Sequence, residues 1–302
     1  MRVLVTGGGG FIGSHTVDAL LAAGDEVCVL DDFSSGRRAN LSAHPNLRII
    51  EGDIRDPATV RQALVGVTHV MHLAAQVFVP ASIDDPVHSA SINLSGFLNV
   101  LNAVRRSNIK RFAYASSAAV YGIPERSPVD ETSAVVPLSP YGLEKSINDR
   151  YAALFKELYG TSTLGLRYFN VYGPRQDPRS AYSGVISKFA DCARENQPIT
   201  VFGDGLQTRD FIYVGDVARA NIAALRGEAN GVVNIATGTS VTLLDLIGAF
   251  NEALRRTLEV RFAPARTGEV RHSSVTPQRA QTELGLTRCV SLQDGIARLL
   301  AG

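Results

Sequence analysis

The run Thr6-Gly7-Gly8-Gly9-Gly10-Phe11-Ile12-Gly13 constrains this chain more than any other feature. A short apolar, β-branched stretch at 3–6 leads into it, and an apolar helical pattern at 11–23 follows. Glycines spaced as Gly7, Gly10 and Gly13 let the backbone turn tightly and approach a pyrophosphate closely. The following helix N-terminus adds free N–H groups and a positive dipole end, through Gly10, Phe11 and Ile12. Glycine-rich turns are common, so the context matters: a strand before, a helix after, and Asp31-Asp32 ending the next strand about 20 residues on. An acidic side chain there accepts hydrogen bonds from a ribose 2′-hydroxyl and repels a 2′-phosphate, which favours NAD over NADP.

Apolar runs at 3–6, 26–30, 48–51, 69–72, 111–115 and 164–168 read as buried strands. Helical patterns at 11–23, 57–64, 87–107 and 140–159 lie between them. Alternation of this kind predicts an α/β fold, a doubly wound parallel sheet of Rossmann type with helices on both faces. Asp53 and Ile54 follow the third strand, where adenine would lie. Leu73, Ala74 and Ala75 follow the fourth, under the cofactor. Beyond Tyr172 the pattern loosens, with helices near 214–226, 242–255 and 292–301. The expected division is therefore a dinucleotide-binding domain at 1–172 and a smaller C-terminal lobe at 173–302, some of whose segments return to the first sheet.

Composition narrows the function classes. A formal net charge of +1 argues against nucleic-acid binding by bulk electrostatics. Cys28, Cys192 and Cys289 are odd in number and far apart, which argues against a disulfide framework or a zinc knuckle. With no signal-peptide pattern and no run approaching 18 apolar residues, a cytoplasmic protein without a membrane span is expected.

Tyr141-Gly142-Leu143-Glu144-Lys145 opens a helical pattern, so Tyr141 and Lys145 lie one turn apart on one face. A lysine ammonium beside a phenol, helped by a positive nicotinamide, lowers the tyrosine pKa and prepares a base. Lysine is scarce: Lys110, Lys145, Lys156 and Lys188. A chance Tyr-x-x-x-Lys is expected about 0.1 times in such a chain. Ser116-Ser117 ends the fifth strand, where active sites of open α/β sheets lie, and could bond a substrate hydroxyl beside Tyr141.

With these motifs in place, the chain resembles the extended short-chain dehydrogenases that act on nucleotide sugars. The likeness runs in order through residues 6–13, 72–75, 116–122, 141–145, 167–174 and 209–217. It implies that Ser117 is the catalytic serine, Tyr141 the base and Lys145 its partner. It places Asn93, Tyr168 and the backbone after Phe169 near the nicotinamide. It assigns Asn170, Phe202, Arg209 and Arg266 to a uridine diphosphate, consistent with the bidentate grip of arginine on pyrophosphate. Arginine is abundant and usually exposed, so Arg209 and Arg266 carry less weight by themselves than Tyr141.

Within that family, dehydratases place an Asp-Glu pair beside the catalytic serine or threonine, and decarboxylases a Glu. This chain has Ala118-Ala119, and alanine moves no protons. The resemblance therefore implies a UDP-sugar 4-epimerase cycling through a 4-keto sugar with NAD. UDP-N-acetylglucosamine and its galacto epimer are favoured over UDP-glucose and UDP-galactose, because Ser273 stands where related enzymes wall off the C2 substituent. Gln176 is expected to touch the sugar. UDP-glucuronate epimerisation and a catalytically dead NAD-binding sensor are the competing readings, and an intact Ser117, Tyr141 and Lys145 speaks against the sensor. Val77 replaces a lysine of the best-known bacterial galactose epimerases, so NAD retention is expected to differ. The resemblance also implies a homodimer, with Val100, Leu101, Val104, Ala152, Phe155 and Leu158 as candidates for the subunit face.

Overall fold

Side chains of the first strand alternate between two cores, and that alternation sets the architecture. In the computed structural model, which describes residues 1–177, 184–265 and 271–301, Val3 and Val5 point into one apolar cluster and Leu4 into another. Val27 and Val29, against Cys28 and Leu30, repeat the pattern on the second strand. A sheet buried on both faces needs such strands, and each fully buried Val or Leu contributes roughly 1.5–3 kcal/mol.

In chain order the elements are β1 (Arg2–Thr6), α1 (Phe11–Ala22), β2 (Glu26–Asp31), β3 (Leu47–Glu51), α2 (Pro57–Ala63) and β4 (His69–His72). Then come α3 (Val79–Asp84), α4 (Pro86–Ala90), a π-helical turn (Ser91–Gly96), α5 (Phe97–Arg105), β5 (Arg111–Ser117), α6 (Pro140–Tyr159), β6 (Thr163–Tyr168) and β7 (Asn170–Tyr172). The remainder is α7 (Val185–Arg194), β8 (Ile199–Phe202), β9 (Thr208–Tyr213), α8 (Val214–Arg226), β10 (Gly231–Ile235) and β11 (Ser240–Thr242). It ends with α9 (Leu243–Leu254), β12 (Val260–Ala263), α10 (Gln278–Leu284) and α11 (Leu292–Ala301).

Seven parallel strands form the main sheet in the order β10-β6-β5-β4-β1-β2-β3. This is the doubly wound Rossmann architecture. Helices α1, α8 and α10 cover one face and α2, α5 and α6 the other. Strand order reverses at β1, between β2 and β4, which opens a crevice at the carboxyl ends. Strand β10 and helix α8 come from the second half of the chain and join the first-half sheet. A smaller lobe gathers α7, β8, α9 and α11 around Phe189, Val201, Phe250 and Ile296.

Two expectations change. The helix expected at 87–107 is broken into α4, the π-turn and α5. The candidates for a subunit face at Val100, Leu101, Val104 and Ala152 are at most 1% exposed and pack on the sheet within this chain. Leu158, by contrast, is exposed. Among the described residues no helix is long and apolar enough to cross a membrane.

Candidate active site

Helix α6 starts where it does because Ser139 caps it. The Ser139 Oγ accepts the Gly142 amide at 3.1 Å, and Pro140 occupies the first turn, where an amide hydrogen would go unused. Gly160, at φ +68°, closes the far end. Within the first turns, Lys145 Nζ stands 5.8 Å from the centre of the Tyr141 ring and donates to the Ala115 carbonyl at 3.0 Å. Ser117 ends β5, its backbone paired with Tyr168 of β6. The Ser117 Oγ accepts the Ala119 amide at 3.1 Å and lines the same cavity as the Tyr141 phenol.

The electrostatics differ from the sequence expectation. Burial pushes the Tyr141 phenol above its ordinary value, the Ser117 hydroxyl pulls it back, and the Glu144 carboxylate adds to the rise. Burial also pushes the Lys145 ammonium down to about 8, with Asp149 and Glu144 holding it up. Lys145 is not among the groups that move the Tyr141 phenol in the protein alone; its ammonium donates to the Ala115 carbonyl.

Two cavities, each of about 470 Å³, lie beside these residues. The first is lined by Gly7, Gly10, Phe11, Ile12 and Gly13 of the glycine turn, and by Asp31 and Asp32. Asp53, Ile54, Leu73, Ala74 and Ala75 continue the wall, and Ser117, Tyr141, Lys145, Tyr168 and Phe169 complete it. The second is lined by Asn170, Phe202 and Arg209. Val171 and Gln176 line both, so the cavities meet there.

The first cavity fits a dinucleotide on its own geometry. Helix α1 has no side-chain cap, which leaves its first amides for a ligand. A Cβ on Gly13 would come within 2.0 Å of the Gly7 carbonyl oxygen, and one on Gly7 within 2.7 Å of the Ala74 amide nitrogen. Asp31 is largely a staple of this loop: its carboxylate accepts the Gly9 and Phe33 amides, each at 2.8 Å. Burial raises its carboxyl, and those amides hold it down. Asp32 accepts from the Ser34 amide and hydroxyl at 3.0 and 2.6 Å.

Two expected residues, Asn93 and Ser273, stand apart from the cavities. Asn93 is buried behind the wall and spends its side-chain amide on Gln76 and Glu144. Ser273 lines neither cavity; its amide donates to the Thr208 carbonyl at 3.2 Å, and its carbonyl accepts the Ser240 hydroxyl at 2.8 Å. Arg266 lies outside the described residues. Sequence reasoning missed Ser34, Ser35, Gln76, Phe78 and His88 in the first cavity, and Lys188 and Gln207 in the second. They belong to loops and helix faces brought in by the fold, and no spacing marks them.

Fold and site together define a Rossmann enzyme with a serine, a tyrosine and a lysine gathered at the mouth of a dinucleotide cavity. Residues 3–236 match the model of the NAD dependent epimerase/dehydratase family. The chain is 37% identical over 305 residues to the UDP-glucose 4-epimerase of Mycolicibacterium smegmatis, covering 99% of this chain and 97% of that protein. It superposes, at a TM-score of 0.94 and 36% identity, on the UDP-N-acetylglucosamine 4-epimerase of Methanobrevibacter ruminantium, solved in complex with UDP-N-acetylmuramic acid. That match covers 99% of this chain and 97% of the other. The UDP-glucose 4-epimerase of Thermus thermophilus, in complex with NAD, gives a TM-score of 0.90 at 39% identity, covering 100% and 98%. The chain belongs to the NAD dependent epimerase/dehydratase family and is an NAD-dependent enzyme.

Proposed function

We propose that this enzyme interconverts UDP-sugars at C4, with Tyr141 moving the 4-hydroxyl proton. The observation that carries this reading is the junction at Val171 and Gln176, where the cavity holding Ser117, Tyr141 and Lys145 opens onto the one holding Asn170, Phe202 and Arg209. NAD supplies the acceptor and donor for the C4 hydride. Tyr141 takes the proton and later returns it, Ser117 orients the reacting oxygen, and Lys145 holds positive charge beneath them. Among the described lining residues the carboxylates are Asp31, which ends β2, and Asp32 and Asp53, on the loops after β2 and β3. Elimination or decarboxylation would need an acid–base group beside Ser117, where the chain has Ala118 and Ala119.

The finer reading is an N-acetylated substrate pair; its support is the resemblance, which puts a serine at the position of a C2 wall residue, although Ser273 lines neither cavity here. A second copy of the chain is proposed to cover the exposed stripe Leu143, Tyr151, Leu154 and Leu158 on α6, giving a homodimer. The deciding experiment is product analysis after separate incubation with UDP-glucose, UDP-N-acetylglucosamine and UDP-glucuronate. C4 epimers from either of the first two are expected. Absence of any C4 epimer, with NAD still bound, would overturn the reading in favour of a binding protein.

A further inference from the structure

Glu144 sits in the same helical turn as Tyr141 and Lys145 and is only 3% exposed. A carboxylate buried to that degree is costly unless it is bonded. Its Oε2 accepts from Ser89 Oγ at 2.8 Å, at the end of α4, and from Asn93 Nδ2 at 2.6 Å, in the π-turn. Asn93 grips the backbone of Gln76 from both sides. Its Nδ2 donates to the Gln76 carbonyl at 2.8 Å, and its Oδ1 accepts the Gln76 amide at 2.9 Å. Asn148, one turn beyond Glu144, closes the circuit by donating to the Asn93 carbonyl at 3.0 Å. Gln76 belongs to the stretch 73–78, which lines the cofactor cavity throughout.

We propose that Glu144 is a positioning residue: acting through Asn93, its buried carboxylate locks the cofactor-lining stretch 73–78 to the helix that carries Tyr141 and Lys145. The catalytic pair and the wall behind the cofactor then move as one body, and the hydride and proton acceptors keep their spacing. Asn93 reaches both partners from within the π-turn, a helix irregularity of the kind found at functional sites. This deepens the epimerase reading and leans on it only for the turnover measurement.

The test compares Glu144→Ala, Glu144→Gln and Asn93→Ala in the intact protein, by amide hydrogen exchange, NAD binding and turnover. An amide at position 144 keeps an acceptor for Ser89 and Asn93 while dropping the charge. Glu144→Ala should speed exchange selectively at 73–78 and weaken NAD binding about tenfold, the loss of one hydrogen bond to a charged group. It should lower kcat on the order of 100-fold, as misplacement of reacting groups does, with a smaller change in KM for the sugar. Glu144→Gln should restore exchange protection and NAD affinity. Combining Glu144→Ala with Asn93→Ala should add little, because both break one relay. Asn93→Ala carries the exchange test if Glu144→Ala does not fold.

Unchanged exchange at 73–78, acceleration spread evenly over the main sheet, or no recovery in Glu144→Gln would each overturn the proposal. If the parent enzyme turns over no UDP-sugar, the epimerase reading fails, while exchange and NAD binding still decide the role of Glu144.

Discussion

The Ser117 hydroxyl acts on the Tyr141 phenol across two elements, the end of β5 and the first turn of α6, and draws its pKa down. Serine and phenol line one cavity wall, where a substrate hydroxyl can meet both, and Lys145 reaches the ring side and the Ala115 carbonyl. Tyr141→Phe removes the proton acceptor and leaves the cavity walls intact. Turnover should fall by about 10³-fold, within the range that general bases supply, while NAD still binds. Assays of epimer formation beside a fluorescence titration with NAD check both halves; near-normal turnover would sink the assignment.

Lys145 is a cost to the folded protein before it is an asset. Burial lowers its pKa from 10.5 to about 8, so an unfolded chain holds a proton on this lysine that the native one gives up between those values. Below about pH 8 both states are protonated and the desolvation penalty is fully present. As pH climbs toward 10.5 the penalty is relieved and native stability gains. Lys145→Met should therefore be more stable than the parent at about pH 7, by up to about 3 kcal/mol, with the advantage fading by about pH 10.5. Urea unfolding of the ligand-free pair across this range measures it. An advantage that grew with pH would contradict the assignment.

The main sheet was legible in the sequence because its strands are short, β-branched and apolar on both faces. Six of them fall within two residues of their expected ends. The seventh, β10, escaped because Gly231 and the fully buried Asn234 interrupt its apolar run. Asn234 is buried for a tertiary reason, a bond from the Tyr121 hydroxyl at 2.7 Å, which no local pattern encodes. Helix α7 carries buried Ile186, Phe189, Ala190 and Ala193 at helical spacing, a signal present in the sequence that the expected elements leave out. That Tyr141 and Lys145 would meet the end of β5 at one cavity was legible from spacing and strand position, and the resemblance singled out Ser117 over Ser116. Asn93 is expected near the nicotinamide because the resemblance implies it, yet its side chain bonds Glu144 and Gln76, two residues distant in sequence.

Gly13→Ala should abolish NAD binding, with a loss on the order of 100-fold or more. Its Cβ would meet the Gly7 carbonyl oxygen at 2.0 Å, and backbone on both sides cannot yield without reshaping the turn. Gly24→Ala is the control: nothing lies within 4 Å of the added methyl, but φ is +79°. It should cost about 1 kcal/mol of stability with NAD affinity unchanged. Calorimetric titration of both variants separates the effects, and tight NAD binding by Gly13→Ala would count against the placement of the pyrophosphate.

Leu143, Tyr151, Leu154 and Leu158 repeat along one face of α6 with exposures of 38–60%, an apolar stripe left uncovered by this chain. Replacing both Leu154 and Leu158 with Glu should convert the proposed homodimer to monomer without disturbing the sheet, since neither side chain reaches the core. Light scattering at micromolar concentration reads the mass directly. A parent protein that is already monomeric removes the proposal.

The substrate preference turns on position 273. The Ser273 amide and carbonyl are bonded to Thr208 and Ser240, so its place beside β9 depends on backbone rather than side chain. A larger side chain can therefore be added without loss of that register. Strand β9 also carries Arg209, a wall of the second cavity, so a tyrosine at 273 adds bulk next to the strand that lines it. If that bulk occupies the space needed by an N-acetyl group at C2, Ser273→Tyr should cut turnover of the N-acetylated pair on the order of 100-fold or more, because steric overlap costs more than a lost contact. UDP-glucose and UDP-galactose, with a hydroxyl there, should be spared, and NAD affinity should not move. Parallel kcat/KM measurements on both pairs give the comparison. Retained N-acetyl turnover in the variant would remove the main support for that preference and leave the C4 chemistry at Tyr141 untouched.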